Sequence, residues 1–265
     1  MKIIENVAIH PGYPLSGLLV GLLIGMTGVG GGSLMTPLLV LGFGMPPSVA
    51  VGTDLLFASI TKSAGTSIHS AGKTIDWKIV ARLATGSVPA TILTLLVLAH
   101  FGAANKTVTH LISLTLGVAL LLSATSLLLK DWIIARASKR WPDSGRETPA
   151  WRTILVGFLV GVLVSLSSVG AGALGTIALI HLYPRLPLVR IIGADLAHAV
   201  PLTLLAGLGH WYLGTVDFLL LGALLLGSIP GIIIGSYAAR YTPDAVMKPC
   251  LGLILAFVGL KLLVK

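Results

Sequence analysis

The chain is 265 residues long, 55% hydrophobic and only 10% charged, with a mean hydropathy of +0.98 and 32 glycines. Soluble domains carry about 25% charged residues, so this composition excludes one and belongs to an integral membrane protein. The formal charge of +9 is not gathered into an aromatic-studded patch, which argues against a nucleic-acid surface; many of the basic residues fall between Lys130 and Arg152, where positive-inside bias accounts for them.

Met1 to Pro14 carries Lys2, Glu5, Asn6 and His10. It lacks the n-region and h-region of a secretory signal, so it is expected to be retained, with insertion driven by the later spans. Apolar segments are predicted at Tyr13–Phe43, Pro47–Ala71, Trp77–Phe101 and Val108–Leu129. They resume at Thr153–Tyr183, Leu186–Leu213, Val216–Arg240 and Ala245–Val264. Cys250, in the last of these, is the single cysteine, so neither an intrachain disulfide nor a cysteine metal cluster is expected.

The first segment contains Thr27-Gly28-Val29-Gly30-Gly31-Gly32-Ser33 and then Pro37. Each interior glycine costs a helix about 1 kcal/mol relative to alanine, so a break is predicted there. Broken backbone at bilayer depth must be buried in protein or line a polar cavity, because lipid satisfies no amides. Free amides and a helix dipole end attract an anion.

The fourth segment is followed by a basic linker, residues 131–150, with Arg136, Lys139, Arg140, Asp143 and Arg146. The segments before and after it look alike. A shift of 141 aligns Gly52-Thr53-Asp54-Leu55 with Gly193-Ala194-Asp195-Leu196, His69 with His210, Asp76 with Asp217, and Gly86-Ser87-Val88-Pro89 with Gly227-Ser228-Ile229-Pro230. Over Gly52–Ala90 eleven of 39 positions are identical, and they include residues that are rare in membranes. A shift of 140 sets Val29-Gly30-Gly31-Gly32 against Val169-Gly170-Ala171-Gly172, and Thr36 against Thr176. The expected fold is therefore an all-α polytopic membrane protein. It has two homologous four-segment halves, 1–130 and 151–265, each opening with a glycine-broken helix.

Two topologies compete. If each broken segment is a re-entrant hairpin, three full spans remain per half and the halves are inverted; if it crosses twice, the halves are parallel. With the linker in the cytoplasm, the inverted arrangement places thirteen Lys/Arg inside and four outside, and the parallel one twelve against five. Segment length favours the inverted form, since 31 residues are about 46 Å as one helix but short for two crossings.

Within this frame a few residues stand out. Asp54 and Asp195 lie seven to nine residues into the second segment of each half. They are read either as caps on the broken loops or as proton-coupling groups. Lys62 sits mid-segment, too deep to snorkel easily, and Thr66 and His69 share its helical face. That face suits a small oxyanion, although a bundle-pinning salt bridge with Asp54 or Asp195 is the plainer alternative. Thr203 stands where the second half would have a lysine. His198, His210 and His69 are further proton-coupling candidates, His198 being the best placed. Asp76 and Asp217 read as helix N-caps, and Pro89 and Pro230 as kinks. There is no HExxH, no GxSxG and no Walker loop, so an enzyme is not expected, and no cofactor or metal is implied.

Taken in order, Gly21-x3-Gly25-x2-Gly28-x-Gly30-Gly31-Gly32 with Pro37, then Gly52-Thr53-Asp54, then His69-x2-Gly72-x3-Asp76-Trp77, the chain resembles the TauE/SafE family of sulfite exporters and anion permeases. The resemblance runs over nearly the whole length. It implies inner-membrane transport of sulfur-containing anions, sulfite or organosulfonates, commonly thought to move with protons. The anion would be contacted by Gly30, Gly31, Gly32 and Ser33, by Ser167, Ser168, Gly170 and Gly172, and by Thr36, Thr176, Lys62 and Thr66. The expected partners are that anion, protons and membrane lipid. The alternative is a cation or neutral-solute permease built on Asp54 and Asp195.

Overall fold

The computed structural model describes residues 11–27, 32–102, 105–129, 132, 149–238 and 244–264, without the side chains at 27, 32, 64–65, 68–69, 71 and 244–248. Among these residues every regular element is a helix. The first predicted segment divides into α1 (Gly12–Thr27) and α2 (Gly32–Pro37), which runs on as a π-helical turn, Leu38–Gly42. Then come α3 (Pro47–Ala71), α4 (Trp77–Phe101) and α5 (Lys106–Leu128). Further along come α6 (Ala150–Ser167), α7 (Ala173–Leu182), α8 (Leu188–Tyr212), α9 (Phe218–Ala238) and α10 (Asp244–Val264). Five of these, α4, α5, α6, α8 and α9, are long and apolar enough to cross a membrane. The 25-residue α3 matches them in length, at about 37 Å, while carrying Asp54 and Lys62.

Tight turns and caps set the helix starts. Asp76 caps α4 by accepting from the amides of Lys78 and Ile79 at 3.2 and 3.3 Å, and Asp217 accepts from the Leu220 amide at 2.9 Å at the start of α9. Both aspartates are the N-caps expected from the sequence.

The helices associate across the linker. The main pairs are α1 with α9, α4 with α6, α3 with α8, and α5 with α10. Glycine ridges make the first two pairs possible. A Cβ on Gly17, Gly21 or Gly25 would lie 2.2–2.4 Å from the backbone oxygens of Leu224, Ser228 and Ile232. From the other side, Gly227, Gly231 and Gly235 meet Pro14, Leu18 and Leu22 in the same way. In the α4/α6 pair, Gly157 meets Leu83, Gly161 meets Ser87, and Gly86 meets Ile154. Small residues at four-residue spacing let membrane helices approach backbone to backbone, where dispersion and weak hydrogen bonds replace the missing hydrophobic drive.

These registers also fix direction. Contact positions rise together along α1 and α9 and along α4 and α6, so both pairs are parallel. In α3 and α8 they run oppositely, Gly52 meeting His210, Leu56 meeting Gly207 and Ser59 facing Val200, so that pair is antiparallel. In α5 and α10, likewise, Gly117 meets Leu263 while Leu128 meets Gly252. Since α8 and α9 are joined by a short turn, α1 runs in the same direction as α3, and α2 must return between them. The first segment is therefore a hairpin, α6 and α7 form a second one, and α1–α5 and α6–α10 traverse in opposite senses.

Candidate functional site

The second break is resolved in atomic detail. Ser168 ends α6 with φ +59°, its amide donating to Val164 O at 2.8 Å. Gly170 and Gly172 follow at φ +128° and +131°, where a Cβ would be strained, so glycine is required at both. Ser167 closes the loop on itself: its hydroxyl accepts from the Val169 amide at 3.1 Å and donates to Leu163 O at 2.7 Å. The amides of Gly175 and Thr176 return to the carbonyls of Gly170 and Gly172, both at 3.0 Å, and start α7. In the first break, residues 28–31, including Gly30 and Gly31, lie outside the described residues; Gly32 opens α2 and Ser33 is buried in it.

A threonine–aspartate tie anchors the returning arm of each hairpin. Thr36, on α2, donates its hydroxyl to Asp54 Oδ2 on α3. Thr176, on α7, donates to Asp195 Oδ2 on α8 at 2.8 Å. Both carboxyls are buried, and Asp195 also faces the backbone amides of Gly172 and Thr176. A carboxyl at the start of a broken helix satisfies orphan amides and meets the positive dipole end, which is the cap reading of these residues. Yet Asp54 Oδ1 and Asp195 Oδ1 have no hydrogen-bond partner among the described residues, and neither do Ser168 Oγ and Thr66 Oγ1. Ser168, at the tip of the second hairpin, faces the Asp54 carboxyl of the first half. Asp195 Oδ1 lies against Gly175, where a Cβ would sit 2.2 Å away.

Lys62 ties α3 to the second break. It is only 5% exposed, about 22 Å along a 37 Å helix, and its ammonium donates to the Ala171 carbonyl in the second break at 2.7 Å. Asp195 and Asp54 are both within Coulombic reach of it. Among the described residues, however, the ion pair of the protein is elsewhere, Arg190 to Asp76 at 3.9 Å. The bundle-pinning salt bridge is thus replaced by a bond to backbone. Two of the three ammonium protons are not used by that bond.

His198 lies one turn from Asp195, shares a 2.8 Å hydrogen bond with Ser87 on α4, and feels the Lys62 charge. His210 is held on both nitrogens: Nε2 donates to Ser165 O at 2.9 Å, and Nδ1 meets Thr215 Oγ1 at 2.9 Å. It ties the end of α8 to α6. His69 is on α3, but its side chain lies outside the described residues. The structure therefore brings Lys62, Asp54, Asp195, Ser168, Thr36, Thr176 and His198 around the two hairpins, and gives Ser167 and His210 bonds within the scaffold. Ser87, Gly175 and the Ala171 carbonyl were missed. For Ser87 a signal was available, since Gly86-Ser87 recurs as Gly227-Ser228.

Two broken helices, buried charge between them and cross-paired spans describe a transporter core. The family model for sulfite exporter TauE/SafE matches residues 13–262. The chain belongs to this family. As a TauE/SafE protein it is a multi-pass membrane transporter and not an enzyme. It is 41% identical over 251 residues to the probable membrane transporter protein YjnA of Bacillus subtilis (strain 168), covering 94% of this chain and 98% of that one. It is 29% identical over 248 residues to the probable membrane transporter protein YdhB of the same organism, covering 92% and 96%. No solved structure matches the chain.

Proposed function

We propose that this TauE/SafE protein is a secondary carrier of the inner membrane that exports a small sulfur-containing anion, sulfite or an organosulfonate, coupled to protons. The observation that carries this reading is Lys62, a cation buried in the middle part of α3 and directed at the broken backbone of the opposite hairpin. An anion entering there meets two spare ammonium protons and the hydroxyls of Ser168 and Thr66, which have no hydrogen-bond partner among the described residues. Asp54, Asp195 and His198 border the same space and are the groups to which we assign proton coupling. A carboxylate facing the anion repels it and a neutral carboxyl does not, which links proton uptake to anion occupancy.

The two halves are proposed as inverted repeats, 1–130 and 151–265, joined by the cytoplasmic linker 131–150, with alternating access between them. The glycine contacts support this, because sequence-matched residues make matching contacts: Gly17 with Leu224 as Gly157 with Leu83, and Gly21 with Ser228 as Gly161 with Ser87. Sulfite flux into proteoliposomes tests the site. Lys62→Ala and Gly31→Leu should abolish flux, and flux unchanged in both would refute it. The Oδ1 atoms of Asp54 and Asp195, without a hydrogen-bond partner among the described residues, favour a second reading, a cation or neutral-solute permease. Competition separates the two: sulfite should inhibit uptake under the first reading, metal ions under the second.

A further inference from the structure

A cleft of about 510 Å³, whose lining does not include Lys62, opens between α5, α10 and the loop before α3. It is lined by Val40 in the π-helical turn, by Gly44 to Pro47 at the start of α3, by α5 and by the last turn of α10. Along α5 the lining residues are Lys106, Thr109, His110, Ser113 and Leu114, and α10 adds Leu262 and Leu263. These positions fall at spacings of three and four, so they form one helical stripe that changes from charge through hydroxyl to leucine over about 12 Å. Lys106 and His110 are exposed, and Leu114, the next residue on that stripe, is 44% exposed among the lipid-facing leucines of α5. The gradient from cationic rim to apolar depth, open on one side, matches an amphipathic anion.

We propose that this cleft holds an anionic phospholipid. Its phosphate lies on Lys106 with His110 and Thr109 beside it, and an acyl chain runs along Leu114, Leu262 and Leu263. The site is separate from the transport path and does not depend on the identity of the transported solute. A zwitterionic lipid carries its own cation and gains less from Lys106, so the cleft discriminates by net headgroup charge. A lysine near the membrane surface contributes about a fivefold preference for an anionic lipid.

The test uses the full-length protein purified in neutral detergent, with phosphatidylglycerol and phosphatidylcholine as probes. Native mass spectrometry of the wild type should show phosphatidylglycerol retained over phosphatidylcholine, and Lys106→Ala should lower that preference about fivefold. Leu114→Trp, which fills the apolar end without touching charge, should expel both lipids. Equal retention of the two lipids by the wild type overturns the proposal, as does an unchanged preference in Lys106→Ala. Displacement of bound phosphatidylglycerol by inorganic phosphate or sulfite alone also overturns it, because the cleft would then be a site for a free anion. Sulfite flux in Lys106→Ala proteoliposomes made of phosphatidylcholine should equal that of wild type, and a loss there overturns the separation from the transport path.

Discussion

Gly175→Ala isolates the tie between Asp195 and the second hairpin. The added Cβ falls 2.2 Å from Asp195 Oδ1 and 3.0 Å from its Cγ, where ordinary contact begins near 3.4 Å. The carboxyl must retreat by roughly 1 Å, enough to break the 2.8 Å bond from Thr176. Loss of a charge-assisted hydrogen bond costs about 1.5–3 kcal/mol, and replacing a helical glycine by alanine returns up to about 1 kcal/mol. The net expectation is destabilisation by about 0.5–3 kcal/mol. Reversible unfolding in mixed micelles measures it, with Gly222→Ala as control, because nothing lies within 4 Å of a Cβ there. The control should gain stability. In an Asp195→Gly background the obstruction is gone, and Gly175→Ala should change from destabilising to stabilising. A penalty of the same size with and without the Asp195 side chain would refute the reasoning.

Lys62→Met removes the donor to Ala171 and the buried charge together; it should abolish sulfite flux while the protein still purifies as a monodisperse species by gel filtration. Gly21→Ala sets a Cβ 2.4 Å from Ser228 O, a backbone atom that cannot rotate away, so α1 and α9 must separate and the yield of folded protein should fall sharply. Asp76→Ala removes the α4 cap and should cost about 1 kcal/mol. Arg190→Ala, which breaks only an ion pair with side chains 45% and 24% exposed, should cost less, as a smaller shift in melting temperature will show. Asp54→Asn should leave a carrier whose anion flux no longer responds to an imposed pH gradient.

The segment map was legible because membrane spans announce themselves by length. Pro47–Ala71 and Trp77–Phe101 agree with α3 and α4 to the residue, since Gly72 and the Asp76 cap punctuate an otherwise unbroken apolar run. Lys62 was legible for the converse reason, as a lone cation where hydrocarbon makes charge expensive. Its partner was not: Ala171 is 109 residues away, and a backbone carbonyl carries no mark in the sequence. The four-residue spacing of Gly17, Gly21 and Gly25 was equally visible, but spacing states that a helix will approach closely and does not state which one. The His198–Ser87 contact was hidden in the same way, because it depends on α4 lying beside α8.

The glycine ridge of α1 has its counterpart some 200 positions downstream, in α9. At ribosomal speeds of about 5–20 residues per second, α1 waits on the order of 10–40 s in the bilayer before that counterpart emerges. Through that interval its flat face is open to any passing small-residue surface, including another nascent copy. The oldest helix of this transporter is therefore among the last to be paired, and insertion factors that shield a ridge until its counterpart arrives would act on α1.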